Sequence, residues 1–220
     1  HTERPRHAVD LAEQAARDGR DTVIVVGGDG TIHEAANGLM RAREAGVALP
    51  RLGIVGRGTG GDFRKTLGIE HRLDRYCQAI ASKKTRKIDI GRFTFCNRAD
   101  QQDQAWFINI LSVGMGGLVD QYVAEDSGKL GGTFAYFSAS FRALLRSEVG
   151  ILDCVLRRGG ERQSLELTTR QISICNGRFF GSGMEVAPMA VPDDGIFQVV
   201  SLGAASRFKF AVSSLSIYSG

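Results

Sequence analysis

The stretches Gly27-Gly28-Asp29-Gly30-Thr31-Ile32-His33-Glu34 and Gly56-Arg57-Gly58-Thr59-Gly60-Gly61-Asp62-Phe63 carry the residue types that could do chemistry. Each follows a short apolar run, Val23 to Val26 and Leu52 to Val55, and each leads into a helical pattern. Glycines let backbone amides approach an anion closely, and the following helix N-terminus adds partial positive charge. Two such units close together point to a polyphosphate site. Asp29 would repel a bare phosphate, so it makes sense when a cation or a proton arrives with it. Transfer of a phosphoryl group to a hydroxyl needs both. Neither loop is a P-loop, because G-x-x-x-x-G-K-[ST] is absent, although Gly56 to Gly61 satisfies G-x-G-x-x-G by letter. Thr31-x-x-Glu34 also reads as a capping box, which can coexist with ligand contact. Asp62 reads as the N-cap of the helix it opens. Asn37 either reaches the second loop or faces solvent.

The elements that must position these residues follow from periodicity. Ala8, Leu11, Ala12 and Ala15 recur at helical spacing and Gly19 ends that helix. Val23 to Val26 reads as a buried strand, Ile32 to Ala45 as a helix stopped near Gly46, and Leu52 to Val55 as a second strand. Helices follow from about Asp62 to Gly68 and over Leu73 to Ala81. This alternation implies a parallel sheet covered by helices. The chain opens directly on a helix without an initiating Met, so a strand is expected upstream. From about Lys87 short strands dominate: Ile88 to Ile90, Phe93 to Cys96, Trp106 to Leu111, Ile151 to Leu156, Ser164 to Thr169, Ile172 to Cys175, Met184 to Ala187 and Ile196 to Leu202. Leu118 to Ala124 and Phe134 to Arg146 read as helical inserts. The expected architecture is an α/β doubly wound domain over residues 1–86, then a β-rich, sandwich-like domain over 87–220.

Composition narrows the class. A chain of 220 residues can bury a real core, and its 28 glycines cluster at strand ends. No apolar run approaches the ~20 residues that span a bilayer. Cys77, Cys96, Cys154 and Cys175 are scattered, which suits reduced thiols in the cytoplasm. The four histidines show no metal-ligand spacing. Net charge is +4, densest at Lys83-Lys84-Thr85-Arg86-Lys87, which reads as a solvated loop or as a patch for an anionic membrane. No interleaved aromatics accompany it, so nucleic acid is not an expected partner.

The two loops and the segments beyond them resemble one family. GGDGT at Gly27 to Thr31, E-x-x-N-G-L at Glu34 to Leu39 and G-T-G-x-D-F at Gly58 to Phe63 are similar to the diacylglycerol kinase catalytic domain. Sphingosine kinases and bacterial lipid kinases share that superfamily, with NAD kinases more distant. The resemblance continues through Lys87 to Gly91, Phe107 to Gly116 and Asn176 to Leu202, in the family's order and over nearly the whole chain. It implies an ATP- and Mg²⁺-dependent lipid kinase acting on a hydroxyl such as that of diacylglycerol. The alternatives are an NAD kinase-like enzyme and a nucleotide-binding or lipid-sensing module without turnover. By match, ATP would be held by Thr2, by Gly27, Gly28, Asp29, Gly30, Thr31, Ile32, His33 and Glu34, and by Gly58 and Thr59. Asp29 and Asp62 would be the catalytic carboxylates. Asp29 would bind catalytic Mg²⁺ or accept the hydroxyl proton, and Asp62 would support the metal or the second loop. A structural Mg²⁺ would sit on the backbone carbonyls of Val191 and Ile196 and the carboxylate of Asp194, where Pro-Asp-Asp-Gly also reads as a plain turn. The aromatic stretch Thr133 to Leu145 could flank an acyl chain or serve as core. The partners implied are a lipid at the inner membrane face and a second copy in a homodimer. Two departures stand out: Gly56 where the family pattern has proline, and Gly61 where it has asparagine. The family's D-G-E-like segment with a proposed general base would follow Gly220, and its Asn-Pro strand would precede residue 1.

Overall fold

The computed structural model describes residues 1–58, 60–97, 99–126, 139, 142–143, 146–158 and 160–203. Helix α1 (His7–Arg17) buries Ala8, Val9, Ala12 and Ala16 and ends where Gly19 turns left-handed at φ 70°. Strand β1 (Thr22–Gly27) leads into helix α2 (Asp29–Glu44), and strand β2 (Arg51–Gly56) into helices α3 (Asp62–Thr66) and α4 (Leu73–Ala81). β1 and β2 pair in parallel, Val25 with Ile54 and Gly27 with Gly56, so both glycine loops leave the same sheet edge. Paired residues share a face. Val25 and Ile54 join a core with Ala12, Ala16, Ile32, Ala36, Leu39 and Phe63. The opposite face carries Gly53, against which Ile80 of α4 packs. Helices therefore cover both faces, as expected of a doubly wound domain. β1 is not the fully buried strand expected, because Ile24 is 48 % and Val26 63 % exposed on the α4 side. α4 lies over β2 and leaves β1 open there.

The remaining strands are antiparallel. β3 (Gly91–Cys96) and β4 (Gln102–Phe107) form a hairpin whose turn is held by Asn97 Oδ1, which accepts from Ala99 N and Gln101 N. β5 (Ile110–Gly114) precedes helix α5 (Met115–Asp126). β6 (Gly150–Arg158), β7 (Glu161–Cys175) and β10 (Gln198–Gly203) complete a sheet in which β7 pairs with β5, β6 and β10. β8 (Phe179–Phe180) and β9 (Met184–Glu185) make a short ladder of their own.

Four expectations change here. Ser164 to Thr169 and Ile172 to Cys175 belong to one strand of 15 residues. Arg170 does not break it, because its guanidinium is turned inward to the Ser147 carbonyl at 2.7 Å. Trp106 to Leu111 is two strands, parted at Ile108 and Asn109, whose carbonyls accept from Asn176. Ile88 to Ile90 forms no strand. It packs against the first core, while Asp89 N donates to the Pro192 carbonyl and the Asp89 carbonyl accepts from Asn176 Nδ2. Met184 to Ala187 shrinks to the two residues of β9. The expected helix over residues 134–146 lies mostly outside the described residues. Ala139 and Ala143 are helical and buried against Met115, Val119 and Tyr122 of α5. The four cysteines are free.

Candidate functional site

The first turn of α2 supplies the anion-binding capacity. Gly28 is its N-cap, with no side-chain cap, and the Ile32 amide closes the first helical bond on the Gly28 carbonyl. The amides of Asp29, Gly30 and Thr31 therefore point out of the helix end without intrahelical partners. The second loop comes up against them. A Cβ on Gly58 would stand 2.6 Å from the Gly28 Cα, so the two backbones touch in a way only glycines allow. Gly27 is similarly covered, since a Cβ there would meet Thr31 Oγ1 at 2.7 Å. Ile32 is 3 % exposed and its amide is used, so neither its side chain nor its N–H faces the loops. His33 is exposed one turn along, with Nε2 3.4 Å from Asn37 Nδ2. Thr59 lies outside the described residues.

Asp29 turns away from its own helix end and across to α3. Its Oδ2 accepts from Asp62 N and its Oδ1 from Phe63 N, both at 3.0 Å. Asp29 thus caps α3, and the expectation that Asp62 would do so is corrected, because the N-cap position is Gly61. Gly61 is left-handed at φ 58°, ψ 38°, a conformation that asparagine also tolerates, so the departure from the family pattern preserves the backbone path. Asp62 is 6 % exposed and its Oδ2 accepts from Ser182 N at 2.9 Å, while Oδ1 is buried without a hydrogen-bond partner. The Lys65 ammonium stands 3.6 Å from Oδ1, too far for a hydrogen bond and close enough for charge attraction. Burial raises the Asp62 carboxyl above the ordinary value. The Ser182 amide opposes that rise, the Asp29 charge adds to it, and Lys65 opposes it. Asp29 Oδ2 and Asp62 Oδ2 both lie 3.4 Å from where a Cβ on Gly60 would stand, so the carboxylates converge on that glycine.

The E-x-x-N-G-L turn proves structural at each of its three polar or small positions. Glu34 does not close a capping box. Its carboxylate reaches the start of α1, where Oε1 accepts from Arg6 N and Oε2 from Ala8 N. Asn37 neither reaches the second loop nor faces solvent. It pairs with strand β4, donating to the Trp106 carbonyl at 2.9 Å and accepting from Trp106 N at 3.0 Å. At Gly38 a Cβ would stand 2.1 Å from the Val9 carbonyl oxygen, so α1 and α2 cross there in backbone contact. The exposed Thr2 sits just ahead of the helix start that Glu34 holds.

α3 joins this edge to the second domain. Thr66 Oγ1 accepts from Arg178 N at 3.0 Å and donates to the Asp62 carbonyl at 3.2 Å. The turn Gly181-Ser182-Gly183 is left-handed throughout, at φ 65°, 69° and 117°, and a Cβ on Gly183 would meet Lys65 Nζ at 2.6 Å. Asn176 and Asn109 brace that segment. Asn176 Nδ2 donates to the Asp89 and Ile108 carbonyls and Asn109 Nδ2 to the Phe179 carbonyl. Sequence reasoning missed Lys65, Thr66, Asn109, Asn176 and Ser182 as couplers. The two glycines around Ser182 were the available signal. The other departure, Gly56, has a local reason: a Cβ would stand 2.7 Å from the Tyr76 hydroxyl, which bonds His71 Nδ1 at 2.9 Å.

The expected structural metal loop lies apart, at residues 191–196. Asp194 Oδ1 accepts from Ile196 N, and Gly195 N donates to Asp89 Oδ2 at 2.7 Å, which ties the turn to the start of the second domain. Val191 and Ile196 are exposed there. Among the described residues no three His, Cys, Asp or Glu side chains gather as a metal cluster.

A parallel strand pair whose glycine loops meet at a helix end is tied through α3 to a second, antiparallel part of the chain, and in open α/β sheets ligands bind at such strand ends. Residues 1–93 match the family model for the diacylglycerol kinase catalytic domain, and 109–220 that for the YegS C-terminal NAD kinase beta sandwich-like domain. The chain belongs to the diacylglycerol kinase catalytic-domain family, in its YegS-like branch. The probable lipid kinase YegS of Salmonella gallinarum is 33 % identical over 188 residues, 85 % of this chain and 58 % of the relative. That of Salmonella arizonae is 31 % identical over the same shares. The chain thus spans 58 % of the length of these curated relatives. A putative diacylglycerol kinase from Bacillus anthracis shares the fold, with a TM-score of 0.67 at 23 % identity over 99 % of this chain and 67 % of that one. No helix among the described residues is long and apolar enough to cross a membrane.

Proposed function

We propose that the chain forms the nucleotide-binding core of an ATP- and Mg²⁺-dependent lipid kinase, which passes the γ-phosphoryl group of ATP to a lipid hydroxyl such as that of diacylglycerol. The observation that carries this reading is the contact of Gly28 with Gly58 beside the three open amides of α2, with two carboxylates alongside. Phosphoryl transfer asks mainly for positioning and charge neutralisation. The amides of Asp29, Gly30 and Thr31 would take phosphate oxygens, with Thr2 and His33 nearer the rest of the nucleotide. Asp29 and Asp62 would hold the Mg²⁺ that accompanies ATP, and such an ion, when bound, offsets phosphate charge. The donor set fits a hard cation, being all oxygen, with Asp62 Oδ1 buried and unsatisfied. Each Asp29 oxygen keeps a second lone pair, so Asp29 could serve that ion or take the hydroxyl proton without releasing α3. A structural Mg²⁺ at the 191–196 turn would use the Asp194 carboxylate with the Val191 and Ile196 carbonyls. The donors there are again oxygen, and backbone would have to supply most of them, since side chains alone do not gather.

The relatives' description as probable lipid kinases supports a lipid acceptor. A lipid acceptor requires the protein to work at a membrane surface, and we place it at the inner face, peripherally, with the exposed Lys83, Lys84, Arg86 and Lys87 as the charge that would meet anionic headgroups. The test is ATP binding by calorimetry with and without Mg²⁺, followed by radiolabelled ATP with diacylglycerol or NAD⁺ as acceptor, using the protein that carries this chain. Label in a phospholipid is the expected result. Label in NADP would move the enzyme to the NAD kinase-like class, binding without product would make it a sensing module, and no ATP binding would refute the site.

A further inference from the structure

Ser182 holds a backbone conformation that a serine adopts only at a cost. Its φ is 69°, and in the left-handed region a Cβ crowds the following carbonyl. Gly181 and Gly183 on either side are left-handed as well, so a third glycine would make the same turn without the crowding. The link to α3 needs only the backbone of residue 182, whose N–H donates to Asp62 Oδ2 at 2.9 Å. The fold thus gives no reason for the side chain, and a residue held in a costly conformation points to a use at the site beside it.

The position of Ser182 says what that use is. A Cβ on Gly60 would stand 3.4 Å from Asp29 Oδ2, 3.4 Å from Asp62 Oδ2 and 3.5 Å from Ser182 Cα. Ser182 therefore comes from the second domain to the point where the two carboxylates converge. Ionised carboxylates only accept hydrogen bonds. The amides around them are already used, Asp62 N and Phe63 N on Asp29 and Ser182 N on Asp62. The Lys65 ammonium is drawn to Asp62 Oδ1. Ser182 is half-buried, and among the described residues no hydrogen bond engages its hydroxyl. That hydroxyl is a donor set among acceptors.

We propose that the Ser182 hydroxyl binds the acceptor lipid by donating to a carbonyl oxygen beside the reacting hydroxyl. This rests on the lipid kinase reading above and makes Ser182 a specificity-determining residue within it. The reacting hydroxyl donates towards the carboxylates, and the neighbouring ester carbonyl accepts from Ser182. An acceptor that carries the hydroxyl without the carbonyl leaves the serine unanswered and is used less well.

The test uses the protein that carries this chain, ATP with Mg²⁺, and two acceptors in the same detergent micelles: dioleoylglycerol and its dioleyl ether analogue, which keeps the hydroxyl and lacks both ester carbonyls. The parent is expected to favour the ester by about fivefold or more in kcat/KM, the worth of one neutral hydrogen bond. Ser182→Ala keeps the Cβ and the left-handed crowding, whereas Ser182→Gly removes both. Each is expected to bring the ester-to-ether ratio to about one while calorimetric ATP affinity stays unchanged. A residue that only shaped the turn would slow both acceptors alike and leave the ratio standing. Ser182→Gly is also expected to melt at or above the parent, because the crowding is gone. A parent indifferent to the carbonyl, a variant that keeps the parent's ratio or loses both activities alike, or a glycine variant that melts below the parent overturns the role of Ser182 and leaves the kinase reading intact. A parent that binds ATP and labels neither acceptor overturns the lipid reading itself, and this inference with it.

Discussion

Asp29→Ala removes the acceptor for two amides at once. In the unaltered protein its carboxylate oxygens sit 3.0 Å from Asp62 N and Phe63 N, and α3 has no other side-chain cap. Hydrogen bonds to a charged acceptor contribute about 1.5–3 kcal/mol each, and N-cap losses run about 0.5–2 kcal/mol. The two bonds share one carboxylate and are not additive, so the expected loss is about 2–4 kcal/mol, a large part of a typical folding free energy. At about 2–4 °C per kcal/mol for a chain of this size, the melting temperature falls by about 4–16 °C. Asp29→Asn keeps one acceptor and turns its amide NH2, a donor, towards the other N–H, so it should fall in between. Urea unfolding gives the free energy, and hydrogen exchange of the Asp62 and Phe63 amides gives the location. A variant that keeps both amides protected and loses under about 0.5 kcal/mol, the spread of neutral surface changes, would refute the capping role.

Other perturbations separate the remaining contacts. Glu34→Ala should cost about 1 kcal/mol by uncapping α1, with exchange rising at Ala8 and not at the start of α2, where a capping box would have put it. Gly38→Ala forces a Cβ to within 2.1 Å of the Val9 carbonyl and should destabilise by about 1–3 kcal/mol or more in thermal melts. Gly58→Ala parts the two loops at Gly28, so calorimetric ATP affinity should drop by more than stability does. Asp62 has its carboxyl raised by burial above the ordinary 3.8, so the ionised form is the one the fold disfavours. That cost is absent below the unfolded value and sets in as pH rises through the folded one. The stability of Asp62→Asn relative to the parent should therefore improve from about pH 3 upward in denaturant titrations, and a flat difference would contradict the assignment.

The periodic signals were enough to place α1, β1, α2 and β2, because each couples one apolar face to a glycine stop. The same signals misplaced the strands around Arg170 and Asn109. A guanidinium turned inward to a carbonyl and a strand broken by a distant asparagine leave no local mark. At the glycine loops the residue types pointed to two turns at one sheet edge, and Gly28 against Gly58 is what two glycine loops on neighbouring parallel strands should do. The partners of Asp29, Asp62, Glu34 and Asn37 were not legible. Each reaches a backbone group far away in sequence, whereas local capping rules offer only partners within the same turn.

Glu34, Asn37 and Gly38 set separate segments of the chain against one short stretch of a single helix. An α-helix turns about 100° per residue, so these contacts fix the rotational phase of α2 as a key fits a lock. A single residue inserted between Glu34 and Gly38 would swing the later contacts about a quarter turn away from β4 and α1 while leaving the glycine loop untouched. The same insertion beyond Ala42 would shift only the approach to Gly46 and the exposed contacts of Glu44 with Gln104 and Arg92. Length variation in this helix should therefore be confined to its far end, and α2 tolerates a change at its exit more readily than one at its start.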